Sequence, residues 1–493
     1  MKKLYLSCVF LMAVYGSSAA MGVSDYREGI VVVNESQYGK GSGTLNFLQP
    51  GNETDFWRYR VFREVNPGRE LGCTPCYGAY HDGKLYVVSK LDKDPASAAT
   101  GGIVTVMDGA TLQWKGQINA LDPSGARVCG RAFLGIDAGK GYVSSSNGIW
   151  AIDLRNLLVI GQVAGSENPN GTDNKPVGDP TSAIYFGQCG AMVLAEGKVF
   201  AAHQSKGVLV IDPVSDNVER VITMDCAAPD AMIGSIVKSK DGSLWCSVTG
   251  YDGDYDYYTT IDKLVRINPS TLETSVVDLP EGIYGPSTSW AAWSADTFRA
   301  SRFSNEIYWT GGADNWFANM EVFRFDVDAE TATRIMDFND DEDQWKVCCP
   351  SLGIDPSDGS LYLTLFKDVV STQYMVRNCL PDGTPVRDYP MERAYWFPGL
   401  FLFPASDIAG IETVDSHRDA CEMEARYENG FLTLVLPWRE KGGDEVVVRI
   451  SDLSGRSVGL FHTGEKCCRV AVELSPGIYV VSAIGDAVKV VVR

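Results

Sequence analysis

Three kinds of side chain in this chain could carry chemistry: thiols, alternating carboxylates and a few imidazoles. Cys73-Thr-Pro-Cys76 has the spacing of half a thiolate zinc site, but no second CxxC and no His pair at ligand spacing accompanies it. Asp252, Asp254 and Asp256 alternate with Gly and Tyr, as calcium-binding carboxylates do. An EF-hand loop, however, needs Gly after its third acid and Glu at its end, where Tyr257 and Lys263 stand. A solvated acidic loop is therefore expected, and no metal is assigned. Of the four histidines, His81 falls in a turn, His417 in a connecting stretch and His462 in the tail; only His203 ends a strand from which it could reach a site. Catalysis needs an acid, base or nucleophile within a cluster. No nucleophile elbow, HExxH or phosphate-binding glycine loop occurs, so no catalytic residue and no cofactor is assigned.

Binding is what remains. Tyr251, Tyr255, Tyr257, Trp290, Trp293, Trp316 and Trp345 crowd long, turn-rich stretches, with His203 and Asp254 as polar companions. Tyr and Trp offer large contact area for little rotamer entropy. These are the candidate ligand-contact residues, and their value depends on the elements that carry them.

Those elements repeat. DGKLYVVS (82–89) is followed by AGKGYVSS (138–145), EGKVFAAH (196–203), DGSLWCSV (241–248), SNEIYWTG (304–311) and DGSLYLTL (358–365). Each is a turn followed by a strand with an aromatic: Tyr86, Tyr142, Phe200, Trp245, Tyr308 and Tyr362, spaced 45 to 63 residues apart. A second strand, closing on Asp or Asn, follows each one, as in IVTVMDGATL (103–112) and VLVIDPVSD (208–216). TLNFLQPGNET (44–54) is a weaker seventh copy. Hairpin turns at this period, with almost no helical periodicity, predict an all-β fold: a seven-bladed β-propeller. GIVVVNE (29–35) begins the first blade and WFPGLFLF (396–403) returns to complete it. From Ile411 the pattern changes to alternating strands that predict a small Ig-like β-sandwich. The expected organisation is a leader (1–20), propeller (21–404), linker (405–420) and sandwich (421–493).

In a blade whose strands run A to D from the axis outward, A–B and C–D turns share one face, and B–C and D–A loops share the other. The A–B turns here are minimal. The excess chain lies opposite, in segments such as 165–188, 249–262, 281–293, 310–320 and 339–347. Long loops cost ordering entropy and commonly serve binding. Function is therefore expected on the B–C/D–A face.

Bulk properties agree with an exported protein. A net charge of −20 over 493 residues excludes a basic nucleic-acid face and a polybasic membrane contact. Lys2 and Lys3, an apolar run from Leu4 to Tyr15, and Ser18-Ala19-Ala20 have the pattern of a signal peptide. The run containing Cys8 is too short to span a membrane. Removing Cys8 from thirteen cysteines leaves twelve, an even number that favours disulfides in an oxidising compartment. Cys73, Cys76, Cys129, Cys189, Cys226, Cys348 and Cys349 fall at D–A junctions or at starts of A strands, where they could cross-link neighbouring loops.

Two resemblances follow from motifs. SDLSGRSV (451–458), LSPGIYVV (474–481) and KVVV (489–492) resemble the C-terminal sorting domain of type IX secretion cargo in Bacteroidota. That resemblance implies passage across the outer membrane by the secretion machinery, with the tail cleaved or used for surface attachment. VVVNESQYGKGSGTLNFLQP with ELGCTPCYGAYHDGKLYVVSK resembles the YncE-like, YVTN-type propellers, including Bacteroidota surface proteins that capture cobalamin. It implies a surface binding protein for a corrinoid or glycan, working beside an outer-membrane transporter. The sequence departs from that group in Ser36 after Asn34-Glu35, and in lacking a lipobox. Some related propellers are lactonases, so a hydrolase at the same face is the alternative, and a non-catalytic scaffold a third.

Overall fold

The computed structural model describes residues 25–171, 175, 182–251, 258–286, 290, 297–315, 318–368, 372–409, 424–428, 430–435, 446–452, 457–463, 467–472, 474–483 and 486–492. Residues 25–409 form a seven-bladed β-propeller of four-stranded antiparallel blades. Blades 2 to 7 are built in chain order, with inner (A) strands Cys73–His81, Gly130–Asp137, Cys189–Ala195, Met232–Lys238, Arg299–Ala300 and Lys346–Ile354. Blades 6 and 7 are joined by a short bridge from Ala318 and Asn319 to Cys348 and Val347.

Local turn chemistry sets the repeat. In the A–B hairpin of blade 2, Asp82 (φ 47°) and Gly83 (φ 70°) both take positive φ, the geometry that matches the right-handed twist of paired strands. In blades 2 to 6 the Asp or Asn that closes the C strand folds the next turn around its own side chain. Asp108 Oδ1 accepts from the backbone N–H of Ala110 and Thr111, and Asn268 Oδ1 does the same for Ser270 and Thr271. The chain then passes through a left-handed residue, Leu112 (φ 57°) or Leu272 (φ 61°), into strand D.

The repeated aromatics are wedges between blades. Tyr86, Tyr142, Phe200, Trp245, Tyr308 and Tyr362 are all buried. Tyr86 stacks on Phe133 of blade 3 at 4.3 Å, and Trp245 meets Phe325 of blade 6 edge-on at 4.9 Å. The ring closes as expected: Pro398–Leu402 is the inner strand of blade 1, paired with Ile30–Asn34, which continues to Thr44–Leu48 and Trp57–Arg58.

At the expected junction of propeller and linker, PASDIA forms a helix, Pro404–Ala409. It packs against the inner strand of blade 2, and its Asp407 is ion-paired with Arg302 in the A–B turn of blade 6. The helix is thereby tied, on the short-turn face, to two blades that lie nearly across the ring from each other.

A second compact unit, residues 415–493, contains strands Glu424–Glu428, Phe431–Val435 and Cys467–Ala471 in one sheet. Ser457–Thr463, Val446–Asp452, Gly477–Ala483 and Asp486–Val492 form the other. Leu432, Leu434, Val448, Ile450, Tyr479, Val481, Val490 and Val492 fill the core, making a β-sandwich. Among the described residues no helix is long and apolar enough to cross a membrane.

Candidate ligand-binding mouth

The long loops place the candidate site on the B–C/D–A face. The inner strands enter there, and six of them break register near that end among the described residues. Gly399, Cys76, Arg131 and Gly234 are single residues in excess over their B-strand partners, while Gly190–Ala191 stand against Ala202 alone and Cys348–Ser351 against Thr364 alone. A bulge re-aims its side chain and disrupts the ladder. Hydroxyls take up some of the freed donors: Ser144 Oγ accepts from Ala132 N–H at 3.0 Å, and Ser351 Oγ from Thr364 N–H at 2.8 Å.

Three successive blades bring a polar cluster to this rim. Lys90, at the end of strand B in blade 2, donates to Glu35 Oε2 of blade 1 at 2.8 Å, with side chains only 9% and 12% exposed. Beside them is the bulge residue Cys76. Burial pushes its thiol up to about 11, opposed by Lys90 and Arg131 and assisted by Glu35 and Cys129. Asp94, fully buried, accepts from Gly39 N–H (2.8 Å), Gly41 N–H (3.1 Å) and Ala96 N–H (2.8 Å), which ties the B–C loop of blade 1 to blade 2. Glu35 and Ser36 N–H donate to the carbonyls of Phe397 and Trp396 at 3.0 Å, pinning the same loop to the closing strand. The rim is also strained. Thr74 (φ 47°) and Phe397 (φ 44°) are left-handed residues directly before Pro75 and Pro398, a conformation that costs about 1–3 kcal/mol each.

The predicted contact residues fare unevenly. Trp290 reaches the channel but is only 3% exposed. Its indole N–H donates to the Ile233 carbonyl at 2.9 Å, and its carbonyl accepts from Arg131 (3.2 Å) and from Gln188. A Cβ on Gly190 would come within 2.8 Å of its ring, so Gly there permits the close approach. Trp290 thus joins blades 3, 4 and 5 as packing. Trp345 is half-buried beneath the Lys367 ammonium at 4.8 Å. Tyr255, Tyr257, Trp293, Trp316 and Asp254 lie outside the described residues, as do the side chains of Tyr251 and Cys349.

His203 does not line the mouth. It is fully buried; its Nε2–H donates to the Glu167 carbonyl at 3.3 Å, while Nδ1 has no partner. Burial first, and Lys206 second, lower it to about 4. The unfolded imidazole titrates near 6.5. As the pH falls from about 6.5 towards 4, the unfolded chain gains a proton that the native ring refuses. Stability is full above that window and should drop by about 2–3 kcal/mol on reaching about pH 4.5. Urea midpoints should show this in the native sequence and a flatter profile in His203→Asn; parallel profiles would remove the assignment.

The cysteines correct one expectation. No disulfide joins the described cysteines. Three thiols face oxygen acceptors instead: Cys73 meets Asp94 at 3.4 Å, Cys76 the Gly130 carbonyl at 3.5 Å, and Cys189 the Ser166 carbonyl at 3.4 Å. Burial, then Asp94, pushes Cys73 up to about 12. Cys129 packs with Cys73 in one buried group, Cys226 is exposed and unbridged, and Cys348 lies buried in strand A of blade 7. Protonated thiols are poor nucleophiles.

Seven four-stranded blades closed by Pro398–Leu402, with a polar rim where the inner strands bulge, define a β-propeller. The chain belongs to the family described as Domain of unknown function (DUF5074), whose model matches residues 28–404. No protein of curated function matches the sequence. Among solved structures, the extracellular domain of a B. thetaiotaomicron hybrid two component system is similar at 14% identity and TM-score 0.42, over 93% of this chain and 55% of that one. PorZ, a surface component of the type-IX secretion system of Porphyromonas gingivalis, is similar at 12% identity and TM-score 0.43, over 92% and 63%. The chain thus spans less than two thirds of the length of either.

Proposed function

We propose that this is an exported surface protein that captures a small ligand at the open mouth of its propeller without transforming it. The supporting observation is the convergence of Glu35, Lys90, Cys76 and Arg131, from three successive blades, on the loop-bearing face. The ligand class is a corrinoid or a neutral glycan, in keeping with the YncE-like resemblance of residues 31–90. The tail serves type IX secretion or surface attachment, and an outer-membrane transporter receives the ligand. A hydrolase or lactonase at this mouth would need a base with access to the ligand, and His203 is buried against Glu167.

Tryptophan fluorescence and calorimetry with cyanocobalamin and a panel of neutral oligosaccharides test the reading. Saturable binding with a raised melting temperature and recovery of intact ligand is the expected result. Conversion of the ligand, lost on removing His203 or an acid of the mouth, would replace capture by catalysis.

A further inference from the structure

The Glu35–Lys90 pair is not saturated. Glu35 Oε2 takes the Lys90 bond, while Oε1 is buried with no hydrogen-bond partner. An ammonium has three donors, and among the described residues Lys90 Nζ makes one hydrogen bond, to Glu35. The pair ends the B strands of blades 1 and 2 on the B–C/D–A face, next to Thr74 and Cys76, which are only partly buried. Native structures seldom leave a buried polar atom unpaired, because its desolvation is not recovered.

We propose that this pair is the polar anchor of the mouth, and that it takes a neutral group able to donate and accept at once. A vicinal diol of a sugar or a peripheral primary carboxamide has that chemistry. Its O–H or N–H donates to Glu35 Oε1, and its oxygen accepts from Lys90 Nζ. Charged groups fit less well. A metal cation meets the Lys90 ammonium and the Arg131 guanidinium, while an anion meets the Glu35 carboxylate, and either must also shed its water. A neutral bifunctional group satisfies both open positions without adding a buried charge. This anchor deepens the capture reading and rests on it.

The test removes both charges together, since losing one strands the other. The double variant Glu35→Leu/Lys90→Met keeps volume without the hydrogen bonds, and Glu35→Gln/Lys90→Gln is the second choice if the first does not fold. Each is titrated beside the native sequence with maltoheptaose for the diol and cyanocobalamin for the carboxamides, with melting curves as a folding control. The expected result is saturation by one of the two in the native protein, weakened about tenfold or more in the folded double variant. Equal affinity in that variant overturns the anchor and leaves capture standing. No response of the native protein to either probe removes capture itself, and the anchor with it. Calcium chloride should leave the native melting temperature unchanged; a rise that the double variant lacks would make this a cation site and overturn the proposal.

Discussion

A chain ending at Phe397 should fail to form the propeller, whereas one ending at Val414 should melt as a cooperative unit. The five residues between Phe397 and Phe403 supply the innermost strand of blade 1, with Val31, Val32 and Val33 paired to Leu402, Phe401 and Leu400. That strand serves both neighbours. Leu400 and Leu402 pack in the core shared with blade 2, while Phe401 and the adjoining Phe403 pack with Tyr362 of blade 7. All four are at least 92% buried, with exposures of 4–8%. At about 1.5–3 kcal/mol for each buried side chain, their loss removes roughly 6–12 kcal/mol, comparable to the whole stability of a typical domain. The truncation also unpairs the inner edge of Ile30–Asn34, leaving an open sheet edge that favours association with other chains. Circular dichroism melts and gel filtration of the two truncations decide it. A monomeric, cooperative melt from the chain ending at Phe397 would show that blade 1 closes without its return strand.

This closure also separates what could be read in the sequence from what could not. The hairpins were readable because each is set locally, by Asp-Gly turns such as Asp82-Gly83 and by Asp or Asn caps such as Asp108 and Asn268. The inner-face aromatics were readable because the turn fixes their register. Blade 1 was harder, since its strands come from opposite ends of the propeller, and only the ring's need to close connects them.

The site was less accessible for the same reason. Glu35 and Lys90 are 55 residues apart and meet because consecutive B strands end at the same height on one face. The Asn34-Glu35 dipeptide had stood out as part of a family pattern, but nothing near it in sequence announced Lys90. The bulges at Cys76 and Arg131 arise where the inner strands crowd around the axis, a property of the ring and of no single strand. Trp290 looked like a contact residue by type and loop length, yet its indole fills space against Gly190. The cysteine count was even, but parity cannot say whether a sulfur finds another sulfur or, as Cys73 does, a carboxylate. The helix Pro404–Ala409 escaped because six residues are too few to display a helical period.

Replacing Tyr86 by alanine should destabilise the propeller by about 3–5 kcal/mol, the cost of deleting a large buried aromatic. Replacing it by phenylalanine should cost nothing or stabilise slightly. Tyr86 is 1% exposed, and its ring lies nearly parallel to Phe133, at 8°. His81 and Phe133 flank it at the blade 2–3 boundary, where His81 Nε2–H donates to the Asp137 carbonyl at 2.8 Å. Alanine would leave a cavity that neither blade can fill without shifting against its other neighbour, because a closed ring fixes the angle between blades. The hydroxyl contributes in the opposite sense: it is buried with no hydrogen-bond partner, and burial, with Asp82 assisting, raises it to about 12. Its desolvation is therefore a cost that phenylalanine removes while keeping the stack. Urea unfolding of the two variants separates the contributions. A loss above about 1.5 kcal/mol in Tyr86→Phe would mean that the hydroxyl is satisfied in solution, by a bound water for example. A loss below about 1 kcal/mol in Tyr86→Ala would mean that the repeated aromatic marks the blades without holding them together.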